Sequence, residues 1–456
     1  ANLSNFSILP FNISDPARED YISLKWLGPA FASWSIGTLV CNLPAGYLID
    51  RFGVRFVLGS GTAVASLMSF LIPTALDYSI PALCVLRFIM GASTAGVRYS
   101  SQNSVAGKWA PLNELGFMFS LSSSFSVAGS MLANCLGAAL CTNTVISWRG
   151  SFYTAGTMQI LWVILWFTLY RERPEWHPWV RSEEVYLIRS SRVFKAQVTS
   201  TADMAPIKKG QIIPWRNFLT SKPVWAAAVC CFANAWLTSM VVTYGPIFFH
   251  TTTTSSLLLN SVYASMPLLG NLIMKLLAGF FSDLSLTWLT ITASIKLFNA
   301  IAFFTVGITM FIGSLALTAN STNNAAFFIA TFTAMGANIA GSFKSPALLA
   351  PRYAGMITGF MEVMSSVGSI TAVNSIASLT HQGLAGPWRV VFGISCGLAL
   401  VSSTVFLFWG SGERQPWAEP TFAAKTRSRR EKEKLDVRLL EKRIKKKDKN
   451  VKFEIN

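Results

Sequence analysis

Arg87, Arg98, Asn234 and Glu362 are polar side chains set inside long apolar runs, and handling a small ion is the chemistry they suit. A charged group in a membrane interior is costly, and it persists there for a function or a partner. Arg87 lies about seven residues into its run, roughly 10 Å deep at 1.5 Å per residue. Its planar guanidinium offers a fork of donors that matches carboxylate or phosphate. The competing use is an ion pair with an internal carboxylate such as Glu362. Arg98 stands eleven residues on, which returns it to nearly the same helix face about 16 Å further inward. Two arginines on one face would make a positive path for an anion, and a structural ion pair is the alternative for Arg98. Glu362 is the one acid deep within an apolar run, which makes it a candidate proton site or an arginine partner. Lys275 and Lys344 sit nearer run ends and are expected to snorkel to the inner surface.

Other chemistries have no such support. The seven cysteines are Cys41, Cys84, Cys135, Cys141, Cys230, Cys231 and Cys396. All but Cys141 fall in apolar runs, none with metal-site spacing, so they read as small apolar packing residues. The three histidines, His177, His250 and His381, are scattered near run ends. No metal centre, no cofactor and no nucleophile–base constellation is expected, so the chain does not read as an enzyme.

The elements that must position these residues follow from composition. Of 456 residues, 52% are hydrophobic and 13% charged, with a mean hydropathy of +0.44. An ordinary soluble domain carries about twice that fraction of charge. A spanning helix needs about 20 mainly apolar residues, and eleven runs qualify: 26–49, 56–76, 80–105, 115–140, 150–170, 223–249, 257–281, 291–316, 325–350, 354–379 and 389–409. Basic residues flanking short loops stay cytoplasmic. Arg51, Arg55, Lys108, ten Lys or Arg between 171 and 222, and Arg352 fall in alternate loops. That alternation puts the N-terminus outside and the C-terminus inside. Sequons at Asn2, Asn5, Asn12 and Asn320 lie on the outer side and are candidate glycosylation sites. The expected organisation is an outer segment (1–25), a first helix bundle (26–170), a cytoplasmic linker (171–222), a second bundle (223–410) and a basic tail (411–456). From Lys425 to Lys452 the tail holds fourteen Lys or Arg against five acids. It is expected to lie against anionic lipid rather than nucleic acid.

The loop after the first run reads Gly46-Tyr-Leu-Ile-Asp50-Arg51-Phe-Gly53-Val-Arg55. Gly46 would permit close helix packing and Gly53 a tight turn. Asp50 would accept hydrogen bonds from a neighbouring element, while Arg51 and Arg55 would hold the loop at the anionic inner surface. A partial copy, Gly279-Phe-Phe-Ser-Asp283, lies in the second half. The loop resembles the signature of the major facilitator superfamily, and the echo is what a duplicated half produces. Other segments are LPAGYLIDRFG (43–53), KWAPLNE (108–114), SWRGSFYTAG (147–156), TYGPIFF (243–249), APRYAGMITG (350–359), WRVVF (388–392) and SGERQPWA (411–418). With these the chain resembles the anion–cation symporters that include sialin, vesicular glutamate transporters and type I sodium–phosphate transporters.

The resemblance implies an all-α polytopic membrane protein of two pseudo-symmetric bundles working by alternating access. The family has twelve helices against eleven runs here, so a missing first helix is expected. It further implies transport of a small organic or inorganic anion, with Arg87 as a substrate contact and H+ or Na+ as candidate coupling ions. Arg98 and Asn234 would be additional contacts, and the two loop copies would gate. The expected membrane is plasma, lysosomal or vesicular. The departures are specific. Ala95 stands where the family has a helix glutamate, Ser345-Pro-Ala-Leu348 replaces a polar Asn-His-x-Asp pattern, and Asn234 replaces an arginine of the glutamate transporters. They leave a non-transporting sensor or scaffold as the alternative, with a channel behind it.

Overall fold

Backbone N–H and C=O groups in hydrocarbon must bond within their own segment, so apolar runs of this length fold as helices. The computed structural model describes residues 24–95, 100–109, 115–142, 147–188, 215–252, 257–316, 321–350, 354–380 and 386–418. The sequons at Asn2, Asn5, Asn12 and Asn320, together with Arg98, Arg352 and the tail beyond residue 418, lie outside the described residues, as do the side chains of Asp50 and Asp283.

The first half contains α1 (Leu24–Phe52), α2 (Val54–Tyr78), α3 (Ile80–Ser93), α4 (Ser100–Trp109), α5 (Leu115–Thr142) and α6 (Ser147–Leu169). The second contains α7 (Lys222–Thr238), α8 (Gly245–Thr252), α9 (Leu257–Ser285), α10 (Ile291–Ala316), α11 (Ser321–Met335), α12 (Ser345–Leu349), α13 (Ala354–Thr380) and α14 (Gly386–Trp409). Among the described residues the elements are helical throughout, with no strand. Eight helices are long and apolar enough to cross a membrane, and two further apolar helices are shorter. Each of the eleven runs is occupied by helix, but three are divided. The run 80–105 passes through residues outside those described. The run 223–249 loosens into a π-type segment, Ser239–Thr243, just before Pro246. The run 325–350 tightens into a 3-10 segment, Gly336–Ala340, before Pro346. A proline removes a donor and crowds the preceding turn, so the hydrogen-bond ladder changes pitch ahead of it.

Packing repeats between halves. In the first, α1 lies on α3, α2 on α3 and α6, and α5 on α6; in the second, α9 lies on α11, α10 on α11 and α14, and α13 on α14. The order of helix partners is therefore the same, as two copies of one bundle require. The halves meet along two seams, α1 against α13 and α5 against α9. The outward faces carry Leu161, Ile164 and Leu165 on α6, Ile308, Phe311 and Ile312 on α10, and Val401 and Phe408 on α14, all exposed. In water such a surface would aggregate; against acyl chains it is the solvated face.

Candidate functional site: an interior arginine and two inter-half seams

α3 begins at Ser79, whose hydroxyl accepts from the Ala82 N–H (3.4 Å) and so starts the helix that carries Arg87. α3 then presses on α1 with almost no side chain between. A Cβ on Gly91 would sit 2.0 Å from the Trp34 carbonyl oxygen, and one on Gly37 2.2 Å from that of Phe88. This contact sets Arg87 against the outer half of α1. The Arg87 guanidinium lies 5.0 Å over the Phe31 ring and donates one long hydrogen bond, 3.3 Å, to the Ala30 carbonyl. Among the described residues no carboxylate stands within ion-pair distance of it, so the pairing with Glu362 that sequence left open is not formed. Phe31 meets Tyr244 edge to face at 6.1 Å, and the Tyr244 hydroxyl donates to the Val373 carbonyl on α13 (2.8 Å). Arg87 of one half is thus joined through two rings to the other.

The other expected polar residues go elsewhere. The Asn234 Oδ1 accepts from the Asn338 amide (2.6 Å), tying α7 to the 3-10 segment after α11. Glu362 is buried on α13, 4% exposed, and its carbonyl accepts from Ser366 (3.0 Å). Ser366 in turn meets Thr38 (3.2 Å) and accepts from the Asn42 amide (3.1 Å) across the first seam. The two lysines do not simply snorkel. Lys275 donates to the Ser123 hydroxyl across the second seam (2.8 Å), and Lys344 donates to that of Ser282 (3.1 Å). A serine hydroxyl within reach gives each ammonium a hydrogen bond that interior positions otherwise lack.

At the loop, Gly53 has φ 84, a left-handed conformation open to glycine at little cost. A Cβ on Gly46 would meet nothing within 4 Å among the described residues, whereas one on its counterpart Gly279 would lie 2.5 Å from the Ser120 hydroxyl. Arg51 is exposed and stacks on Phe52 (5.4 Å). Arg55 donates to the Phe167 carbonyl (2.5 Å) and so fastens α2 to α6. The organising residue is one that motif reading missed, Glu172, on the chain after α6. Its carboxylate accepts from the backbone N–H groups of Val54 (3.4 Å) and Arg55 (3.2 Å) at the N-terminus of α2, where the helix dipole favours an anion. It also forms an ion pair with Lys108. Trp166 donates to the Arg55 carbonyl (3.0 Å) and Trp109 to that of Arg171 (3.2 Å). The available signal was the concentration of basic residues around this loop, which demands a nearby anion.

Burial alone would raise the Glu172 carboxyl, but the Lys108 hydrogen bond and charge and the two backbone donors outweigh it and hold the group below its ordinary value. A depressed carboxyl stabilises the folded state fully above the unfolded value, about 4.3, and the contribution is lost as pH falls through the folded value. Glu172→Gln should therefore lower the melting temperature of purified protein by several degrees at pH 7. The gap from the unchanged chain should begin to narrow only below about 4.3 and should close as pH falls further, through the depressed value of the folded state. A gap that persists unchanged at low pH would mean that the ionised carboxylate is not what stabilises the loop.

The Major Facilitator Superfamily model matches residues 2–373. The chain belongs to the major facilitator superfamily. This facilitator is 27% identical over 402 residues to the probable small intestine urate exporter of Mus musculus, covering 87% of this chain and 78% of that protein. It is 26% identical to sialin of Ovis aries, covering 88% and 78%. It is 28% identical to the probable vesicular glutamate transporter eat-4 of Caenorhabditis elegans, covering 85% and 66%. Among solved structures, the proton:xylose symporter XylE bound to 6-bromo-6-deoxy-D-glucose superimposes with a TM-score of 0.64 at 15% identity, over 89% of this chain and 90% of that one; that likeness concerns the fold. The facilitator is a multi-pass membrane protein with transporter, not enzyme, relatives.

Proposed function

We propose that this facilitator carries a small organic or inorganic anion across its membrane by alternating access, with Arg87 as the anion's principal contact. The observation that carries the reading is the state of Arg87. A guanidinium has five N–H donors, and the described protein partners of this one are a single carbonyl and a ring face. A forked cation held in the membrane without a carboxylate is arranged to receive one. The names of the relatives point the same way, since urate, phosphate and glutamate are all anions at neutral pH. Phe31 and Tyr244 stand beside Arg87 at the junction of the halves, where opening of one side and closing of the other would expose the anion alternately. Glu362, buried on the first seam, is the proposed coupling group for H+; the basic tail is proposed to rest on anionic lipid.

Uptake of phosphate, urate, glutamate, sialic acid and nucleotides into proteoliposomes tests the proposal. Saturable flux of one of them supports a carrier, whereas binding without flux would support a sensor or scaffold that kept the fold. For the transported anion, Glu362→Gln should flatten the pH dependence of uptake. An unchanged pH profile would remove Glu362 as the proton site.

A further inference from the structure

The two loop copies align Gly46 with Gly279 and Asp50 with Asp283. One helical turn before each glycine stands a donor, Asn42 in the first copy and Lys275 in the second, and both reach across to the opposite half. Asn42 donates to Ser366 on α13 (3.1 Å), and Lys275 donates to Ser123 on α5 (2.8 Å). Each donor is eight residues from its loop aspartate, about 12 Å along the helix, so the two bonds lie at the same depth. Both sit toward the side on which α1 and α9 end, the side that charge alternation makes cytoplasmic. The duplication has kept the position and the act of donation while changing the group, an uncharged amide in one half and an ammonium in the other.

We infer that Asn42–Ser366 and Lys275–Ser123 are a matched pair of inner latches, positioning residues whose bonds must break for the cytoplasmic side to open and re-form for it to close. This rests on the alternating-access reading above. The bonds join elements that would separate as rigid bodies, and hydrogen bonds of this kind are strong enough to bias a two-state equilibrium and weak enough to be broken in every cycle. The latches are unequal in chemistry. A hydrogen bond from a charged donor is the stronger kind, so Lys275–Ser123 is the stronger of these two bonds.

The test uses the full chain in liposomes of neutral lipid with no added anion. Spin labels are introduced as non-canonical amino acids at Phe56 and Trp288 on the inner side and at Tyr78 and Leu315 on the outer side, all exposed positions. Distance distributions are then read by pulsed electron paramagnetic resonance. Ser123→Ala removes the acceptor of Lys275, and Ser366→Ala removes the acceptor of Asn42 together with the Thr38 contact across the same seam, both with little change in volume. Each should raise the ratio of long to short inner distances at least about fivefold, the effect expected for one net hydrogen bond, and shorten the outer distances. Lys275→Met and Ser123→Ala together should do no more than Lys275→Met alone, because both break the same bond. Lys275→Arg should restore the short inner distance. Unchanged inner distances in both serine variants, or additive effects of Lys275→Met and Ser123→Ala, would overturn the latch assignment. A single fixed inner distance in the unsubstituted chain would overturn alternating access, and the latch with it.

Discussion

Replacing Arg87 with Ala should abolish anion uptake while leaving a folded, monodisperse protein. Two charge-assisted hydrogen bonds to a desolvated anion are together worth about 3 kcal/mol or more, and each 1.4 kcal/mol is a factor of about ten. The expected loss in uptake efficiency is therefore at least about 100-fold. The structural cost is small, because the guanidinium's described partners are one 3.3 Å hydrogen bond to Ala30 and the Phe31 ring. Arg87→Lys keeps the charge but not the fork, so it should recover only part of the activity. Initial uptake rates in proteoliposomes, with thermal unfolding measured in parallel, separate the two effects. Uptake within twofold of the unchanged chain would sink the binding role. Lost uptake accompanied by a collapsed melting temperature would instead make Arg87 structural.

Gly91→Ala should cost more stability than any single substitution in the loop motif. Its Cβ would lie 2.0 Å from the Trp34 carbonyl oxygen and 3.1 Å from that residue's Cα. Both are backbone atoms that cannot rotate away, so α1 and α3 must part. Overpacking a core costs about 1–3 kcal/mol, and a clash with backbone lies at the upper end. Gly37→Ala meets the Phe88 carbonyl from the other side, at 2.2 Å, and should behave alike. Gly46→Ala is the control with the opposite sign. Among the described residues nothing lies within 4 Å of its added methyl, and alanine is favoured over glycine in a helix by about 1 kcal/mol. Melting temperatures of the three variants decide the matter. Equal destabilisation by Gly46→Ala and Gly91→Ala would refute the close contact of α1 and α3. Since Arg87 lies one turn before Gly91, the two tight variants should also weaken uptake by displacing the arginine from Phe31.

Legibility in the sequence followed the range of the interaction. Hydropathy and charge alternation are properties of local segments, so the helical runs, the membrane setting and the division into halves could be read directly. The loop turn at Gly53 was equally legible, because a spacing that demands a left-handed residue is a local property. Arg87 was found because a guanidinium in an apolar run is anomalous wherever the chain folds. The partners of Arg55, Lys275 and Lys344 could not be read from the sequence for a common reason. Each depends on what lies opposite, and those neighbours are far away in the chain.

Glu172 shows the limit best. Seen alone it is one acid among arginines after α6; folded, it meets Lys108 and the first N–H groups of α2, more than a hundred residues earlier. The loop motif was therefore recognised without its anchor. Asn42 and Lys275 are the converse case. Their matched place in the two repeats was present in the sequence, but nothing there indicated that both would find a serine on the opposite half. Sequence by itself determined a membrane protein of helices in two related bundles, because burying unsatisfied backbone in lipid allows no other outcome. Tertiary structure alone decided which polar groups meet one another, because a hydrogen bond across a seam depends on distance in space, not on separation along the chain.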